Sequence, residues 1–355
     1  MALRGNDVKK TFRFGFDART SRGRMHDKTS WFIRLWHDND PTIVGIGECG
    51  PLPGLSPDAQ PGFEAVLSTV LQEINERQFS PGDEVSELVP AGFPSITFGL
   101  ETALLDLRHG GRRIIFDNPF VTGNPLPING LIWMGNRDFM IRQIDEKIAQ
   151  GFTCIKLKVG GLDFDHECNI LQYIRDRYAG NITLRLDANG AFKPETALDK
   201  LNTLARFDIH SIEQPVQPGL EILPELCLKS PIAIALDEEL IDVSPDFASR
   251  QSLLTRVKPQ FLVLKPTLHG GFSGCAGWIA AAEQNGIGWW ITSALESNIG
   301  LNAICQFTAS YSIRMPQGLG TGMIYMDNIP SPLVAGNGQI CYEQNLPWDT
   351  GMLLP

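Results

Sequence analysis

Two hydrophobic rhythms run along the chain, and they change over near residue 120. Before that point, strand-like pieces ("KKTFRFGF", "SWFIRLWHD", "TIVGIGEC") come first. They are followed by "FEAVLSTVLQEINERQ" and "SITFGLETALLDLRHG", whose apolar residues recur at helical spacing. Strands first and helices after predict an α+β domain over residues 1–122. The Pro/Gly/Asn-rich "DNPFVTGNPLP" (117–127) is the expected linker.

Over residues 123–329 short apolar strands alternate with amphipathic helices. The pattern predicts strands at 127–133, 153–159, 182–187, 209–215, 232–237, 260–265, 286–292 and, weakly, 317–321. Segments such as "NRDFMIRQIDEKIAQ", "DHECNILQYIRDRYAG" and "GFSGCAGWIAAAEQNG" supply helices between them. The strands are continuously apolar, as when helices cover a parallel sheet. Their starts recur every 23 to 30 or so residues, the length of a βα unit in a (β/α)₈ barrel. An open doubly wound sheet is the alternative, but no glycine-rich phosphate loop follows the first strand. Residues 330–355 lack a helical period and are expected to return onto the first domain. The polar loop "DARTSRGRMHDKTS" (17–30) reads as a lid over the barrel or as an exposed hairpin loop.

Composition narrows the partners. The 355 residues carry a net charge of −10 and no Lys/Arg-rich run, which argues against nucleic acid and anionic membrane. Seven cysteines lie scattered, without a CxxC, and suit reduced thiols in a cytoplasmic enzyme. The opening "MALRGNDVKKTF" is too polar for a signal peptide, and no apolar run reaches membrane-span length. The expected partner is a small-molecule carboxylate substrate, and a homo-oligomer is compatible with the sequence.

Chemistry collects at the strand ends. Lys158, Asp187, Glu213, Asp237 and Lys265 close five consecutive strands, and in a parallel barrel those ends ring one mouth. Taken singly, each has a plainer reading: a helix cap, a turn residue, half of an ion pair. Taken together, three neighbouring carboxylates repel one another unless a cation sits between them. Oxygen ligands alone suit Mg²⁺, with Mn²⁺ as the variant. Lys156 sits one residue before Leu157 and shares its strand face with Lys158, so two ammonium groups are placed side by side.

The motifs "KLKVG" (156–160), "RLDANGAF" (185–192), "IEQP" (212–215), "ALDEEL" (235–240) and "LKP" (264–266) resemble the enolase superfamily in its muconate-lactonizing subgroup. "GIGECGPLPGLSP" (45–57) is similar to that family's capping-domain loop, and "SITFGLETALLDL" to the helix before its barrel. The resemblance implies an α/β fold: a modified TIM-like (β/α)₈ barrel of (β/α)₇β form with an N-terminal α+β capping domain. It implies Asp187, Glu213 and Asp237 as Mg²⁺ ligands and Lys158 as the acid/base, with Lys156 lowering the pKa of Lys158. It implies Lys265 on the opposite face of the substrate and Glu238 paired with that lysine. Asn189 and Arg185 match polar positions around the metal strand. His210 and His269 read as surface or capping histidines.

Within the subgroup, dipeptide epimerases carry a DxD on the last strand. The matching "QGLGTGMIY" (317–325) holds no acid, and Asp327 comes later. "ITSALESNIGL" (291–301), "NGLIW" and "GLGTG" resemble the o-succinylbenzoate synthase family instead. That resemblance implies a hydro-lyase making 2-succinylbenzoate for menaquinone through an enediolate, with Ser293 and Gly320 near the succinyl carboxylate. Ser297 or Asn298 also reads as the cap of the seventh helix. N-acylamino acid racemisation, dipeptide epimerisation and muconate cycloisomerisation are the alternatives on this fold, and a binding scaffold without turnover is the one outside enzyme chemistry.

Overall fold

In the computed structural model, which describes residues 2–20, 23–77 and 87–353, the N-terminal segments form a three-stranded antiparallel sheet. Its strands are β1 (Leu3–Thr20), β2 (Gly23–His37) and β3 (Asp40–Cys49). Pairing of β1 with β2 runs out to Thr20 opposite Gly23, so the polar 17–30 stretch is two strand ends rather than a long loop. Residues 21 and 22, at its tip, lie outside the described residues.

Helix α1 (Phe63–Glu76) buries Phe63, Leu67, Val70, Leu71 and Ile74, one stripe at helical spacing. Helix α2 (Pro94–Arg108) lies against β3, where Gly45 and Gly47 let it come close. A side chain at either glycine would collide with the backbone of Ala103 or Gly99. The expected linker is partly ordered by its own side chains. Asn118 accepts from Phe120 N (3.2 Å) to start a short 3₁₀ turn (Pro119–Thr122), and β4 (Leu126–Pro127) follows.

The strand predicted at 127–133 is split between β4 and β5 (Gly130–Ile132), which belong to different sheets. From β5 onward strand and helix alternate: α3 (Arg137–Ala149), β6 (Cys154–Lys158), α4 (Phe164–Tyr178), β7 (Thr183–Asp187), α5 (Pro194–Leu204), β8 (Ile209–Glu213) and α6 (Leu223–Lys229). Then come β9 (Ala233–Leu236), α7 (Phe247–Val257), β10 (Phe261–Leu264), α8 (Gly271–Gln284), β11 (Gly288–Ile291) and α9 (Asn298–Ala309). Strands β5 to β11 form one parallel seven-stranded sheet in sequence order.

Both edges of that sheet are tied to one short segment. Gln317 N donates to Pro127 O (2.8 Å) and Asn129 N to Gln317 O (2.9 Å), while Gly318 N donates to Ile291 O (2.8 Å) and Ser293 N to Gly318 O (3.1 Å). The sheet is therefore curled round on itself, and the weakly predicted eighth strand is reduced to these bridging residues. A side chain at 318 would collide with Thr292, so glycine is required for that approach. Ala235, Val263 and Trp290 pack inside the curl, and a large apolar cluster lies between strands and helices.

After α9 the chain forms a hairpin of β12 (Leu333–Gly336) and β13 (Gln339–Tyr342) that pairs with β4. Trp348 and Leu353 then join a cluster with Phe12, Phe32, Trp133 and Tyr325. Among the described residues, no helix is long and apolar enough to cross a membrane, and all seven cysteines are free thiols.

Candidate active site

Parallel register sets the site. Lys158 lies beside Asp187, Asp187 beside Glu213, and Glu213 beside Ala235, so the acids of β7 and β8 stand shoulder to shoulder at the carboxyl ends. Asp237 follows the end of β9 and Lys265 the end of β10, on the far side of the acids from Lys158. Asp187, Glu213 and Asp237 are 1, 0 and 1 % exposed. Such burial is tolerable only because charge balances charge.

The lysines supply that balance. Lys156 donates to Glu213 Oε2 and lies 3.1 Å from Asp187 Oδ2. Lys158 Nζ reaches Asp187 Oδ2 at 3.0 Å and Asn189 Oδ1 at 2.8 Å. Lys265 Nζ donates to both oxygens of Asp237 at 2.6 Å. Glu238 Oε1 accepts from Asn189 Nδ2 at 3.0 Å, beside the pair that Lys265 makes with Asp237. The two lysines of β6 are not a bare like-charge pair, because one oxygen of Asp187 stands between them.

Titration follows from the geometry. Burial, and after it the negative Asp187 and Asp237, push the Glu213 carboxyl up to about 7, against the pull of Lys156. Burial alone would also raise Asp187, but Lys156, Lys158 and Lys265 hold it far below the ordinary carboxylate range. Burial would lower Lys156, yet Asp187, Glu213 and Asp237 keep it above the usual lysine value. In this arrangement Glu213 is the carboxyl that takes up a proton, and Lys156 stays charged.

The donor set suits a hard divalent cation. It is three carboxylates without sulfur or imidazole, and Glu213 Oε1 is buried with no hydrogen-bond partner. Among the described residues no three acids converge on one point as they stand, since ammonium groups fill the spaces between them.

Above this floor lies a cavity of about 240 Å³. Lys156, Lys158, Asp187, Asn189 and Lys265 line its base, and Ser293, Gly320 and Thr321 one wall. Met25, Leu52 and Leu55 from the N-terminal part line it as well. Ser293 Oγ and Thr321 Oγ1 are 2.6 Å apart, and Ser297, not Asn298, caps α9 by accepting from Ile299 N (3.3 Å).

One expected residue sits elsewhere. Arg185 points inward one layer down, 4.2 Å from the Trp290 ring and 2.7 Å from Pro316 O, and does not line the cavity. It is two residues before Asp187 on the same strand, so it faces the same way but lies deeper. Of the two readings for His269, surface or capping, the structure shows the second: it is buried, its Nδ1 accepts from Lys265 N at 3.0 Å, and burial lowers it to about 3. His210 is half-buried against Phe261, with Nδ1 2.9 Å from Ser211 Oγ.

Gln214 went unrecognised in the sequence although "IEQP" contains it. Its Oε1 accepts from Asp237 N (3.3 Å) and Glu239 N (3.1 Å), fixing the turn that carries Asp237. Gln214 and Asn189 have φ of 36° and 45°, left-handed backbone beside two of the acids, a strain typical of functional sites. Thr292, just past the carboxyl end of β11, was within reach of the strand-end rule; Asn129, which precedes β5, and Met25, from a distant hairpin, were not.

Residues 140–341 match the family described as "Enolase C-terminal domain-like". An o-succinylbenzoate synthase from Desulfotalea psychrophila is 44 % identical over 350 residues, 90 % of this chain and 94 % of that protein. The crystal structure of MenC from Desulfotalea psychrophila LSv54 superimposes with a TM-score of 0.86 at 38 % identity, covering 96 % of this chain and 100 % of that one. A dipeptide epimerase from Enterococcus faecalis, complexed with Mg and a dipeptide, gives a TM-score of 0.83 at 19 % identity over 98 % and 100 % of the two chains, a likeness of fold. The chain belongs to the enolase superfamily, in its o-succinylbenzoate synthase family.

Proposed function

We propose that this chain is a magnesium-dependent lyase that converts 2-succinyl-6-hydroxy-2,4-cyclohexadiene-1-carboxylate to 2-succinylbenzoate and water, a step of menaquinone biosynthesis. The observation that carries it is the pair of opposed lysines, Lys158 and Lys265, over three buried acids in a chain 44 % identical to a synthase of that name. Asp187, Glu213 and Asp237 would hold Mg²⁺. Bound there, the ion supplies a Lewis acid for the charge that develops on the substrate carboxylate.

The chain's own groups do the rest. Lys158 takes the proton from the carbon bearing the ring carboxylate, then returns it to the departing hydroxyl on the same face. Asn189 and Asp187 hold its ammonium in place between the two transfers. Lys265 faces the other side of the ring and stabilises the anion as a cation. The ring becomes aromatic as water leaves, so steadying the anion is enough. Ser293 and Gly320 sit on the wall where the succinyl arm would lie.

The fold accompanying this chemistry is a (β/α)₇β barrel over 123–329, capped by 1–122 with help from 330–355. Seven free thiols suit a reducing cytoplasm. The segment 317–321 brings glycines and Thr321, not a carboxylate, to the cavity, which disfavours an epimerase acting on a cationic dipeptide.

An ultraviolet assay for 2-succinylbenzoate with Mg²⁺ tests the proposal. Wild-type protein should form product, and Lys158→Ala should lose at least about 10³-fold in rate. An unimpaired mutant would sink the mechanism. Deuterium uptake at the α-carbon of N-succinylamino acids in D₂O, without dehydration of the cyclohexadiene, would assign the site to racemisation instead.

A further inference from the structure

A second cavity, of about 650 Å³, opens away from the acids, between residues 89–97, the loop 240–245 after β9 and the first half of α8. Two buried residues with unpartnered N–H groups line it. Arg250, on α7, is 6 % exposed; its Nε has no hydrogen-bond partner, and no ion pair reaches the side chain among the described residues. His269 is 7 % exposed and its Nε2 is likewise unpartnered. Because its Nδ1 accepts from Lys265 N, the neutral ring must carry its proton on Nε2, which makes that atom a donor.

The guanidinium is specifically accommodated. A side chain at Gly277 in the interior of α8 would occupy the position of Arg250 Nη1, although glycine there costs helix stability. The cation rests 5.4 Å from the Trp278 ring, and His269 lies against the same ring at 6.5 Å. Asp246, at the start of the same helix as Arg250, acts on the Arg250 charge but makes no ion pair with it among the described residues. A buried charge so incompletely matched, and an unsatisfied N–H on the same cavity, are costly, and one acceptor anion between them would relieve both.

The walls say which anion. Val89, Phe93, Leu240, Val243 and Trp278 are apolar, and the acidic Asp242 is exposed at the rim. Two inner donors suit a single carboxylate, whereas a phosphate dianion calls for more. We propose that this cavity binds a small carboxylate with an aromatic or alicyclic body, its charged end between Arg250 and His269 Nε2. Since His269 also holds the backbone of Lys265, an occupant there would touch the opposite end of a catalytic lysine's tether.

Calorimetric titration of the full chain with benzoate tests this, with inorganic phosphate and benzamide as the other arms. Saturable benzoate binding is expected, weakened at least about tenfold by Arg250→Met, because a charge-assisted contact is lost. Ser244→Trp, on the exposed loop at the rim, should block the cavity equally while leaving Arg250 in place, so the test survives if Arg250→Met misfolds. Lys158→Ala, which alters only the first cavity, should bind benzoate within twofold of wild type. The proposal is overturned by absence of saturable binding, by unchanged affinity in both cavity variants, or by loss in Lys158→Ala. It is equally overturned if benzamide binds as well as benzoate, or if phosphate binds better.

Discussion

At the scale of single residues, the site turns on how five ionisable groups share a few ångströms. Lys156 was expected to keep Lys158 partly deprotonated by repulsion; in the structure Asp187 Oδ2 lies 3.1 Å from one ammonium and 3.0 Å from the other. Glu213 responds to pH near neutrality, raised to about 7 by burial and by its acidic neighbours. Raised means that the proton stays on as pH falls below 7, and a cation must displace it. Mg²⁺ affinity should therefore drop about tenfold per pH unit below 7 and level off above it, as titration calorimetry from pH 5.5 to 8.5 would show. Glu213→Gln should bind more weakly throughout and lose that slope; a wild-type profile flat between pH 6 and 8 would contradict the assignment. Sequence alone identified the charges, because strand ends are readable from apolar runs. It missed the Lys265–Asp237 pairing and the depth of Arg185, which depend on side-chain reach and on layers within the curl.

Elements were legible where their periodicity was long, and obscured where backbone irregularity took over. Helices α1 and α2 and strands β6 to β11 fall within a few residues of the predicted bounds. The break between β4 and β5 and the two-residue bridge at 317–318 were not visible, since single glycines and edge hydrogen bonds leave no periodic trace. One buried contact shows what fixes α2 on β3. Asp106 accepts from Ile46 N (2.9 Å), Arg113 N (2.6 Å) and the Arg113 guanidinium, which also donates to Val44 O (2.8 Å). Burial pushes Asp106 up and Arg113 down, so each depends on the other to stay charged. Asp106→Ala strands a cation and two amides, and should cost about 3–5 kcal/mol in urea unfolding. Arg113→Met should cost less, because the carboxylate keeps both backbone donors. Equal losses would mean that the ion pair, not the amides, holds the junction.

At the scale of the molecule, the cavity exists only because two separately built parts meet, one bringing Met25, Leu52 and Leu55 and the other the lysines and Ser293. Glu48, at the end of β3, is the joint. It is fully buried and accepts from Ser30 Oγ (2.7 Å) on the N-terminal sheet and, across the junction, from Ser297 N (3.0 Å), Ser297 Oγ (2.6 Å) and Gly300 N (3.0 Å). Three of those donors crown the start of α9, where the helix dipole also favours a negative charge. Glu48 touches neither the cavity nor the three acids, so it can act only through the alignment of the two parts. Glu48→Ala should leave Mg²⁺ affinity within about twofold while lowering kcat/KM by about 10- to 100-fold, the scale on which small misplacements of positioning groups act. Glu48→Gln, which keeps one acceptor oxygen but sets an amide NH₂ against backbone donors, should fall between the two. If Glu48→Ala instead lost metal and activity together, the parts would not be separable, and the barrel's acids would depend on the cap for their own geometry.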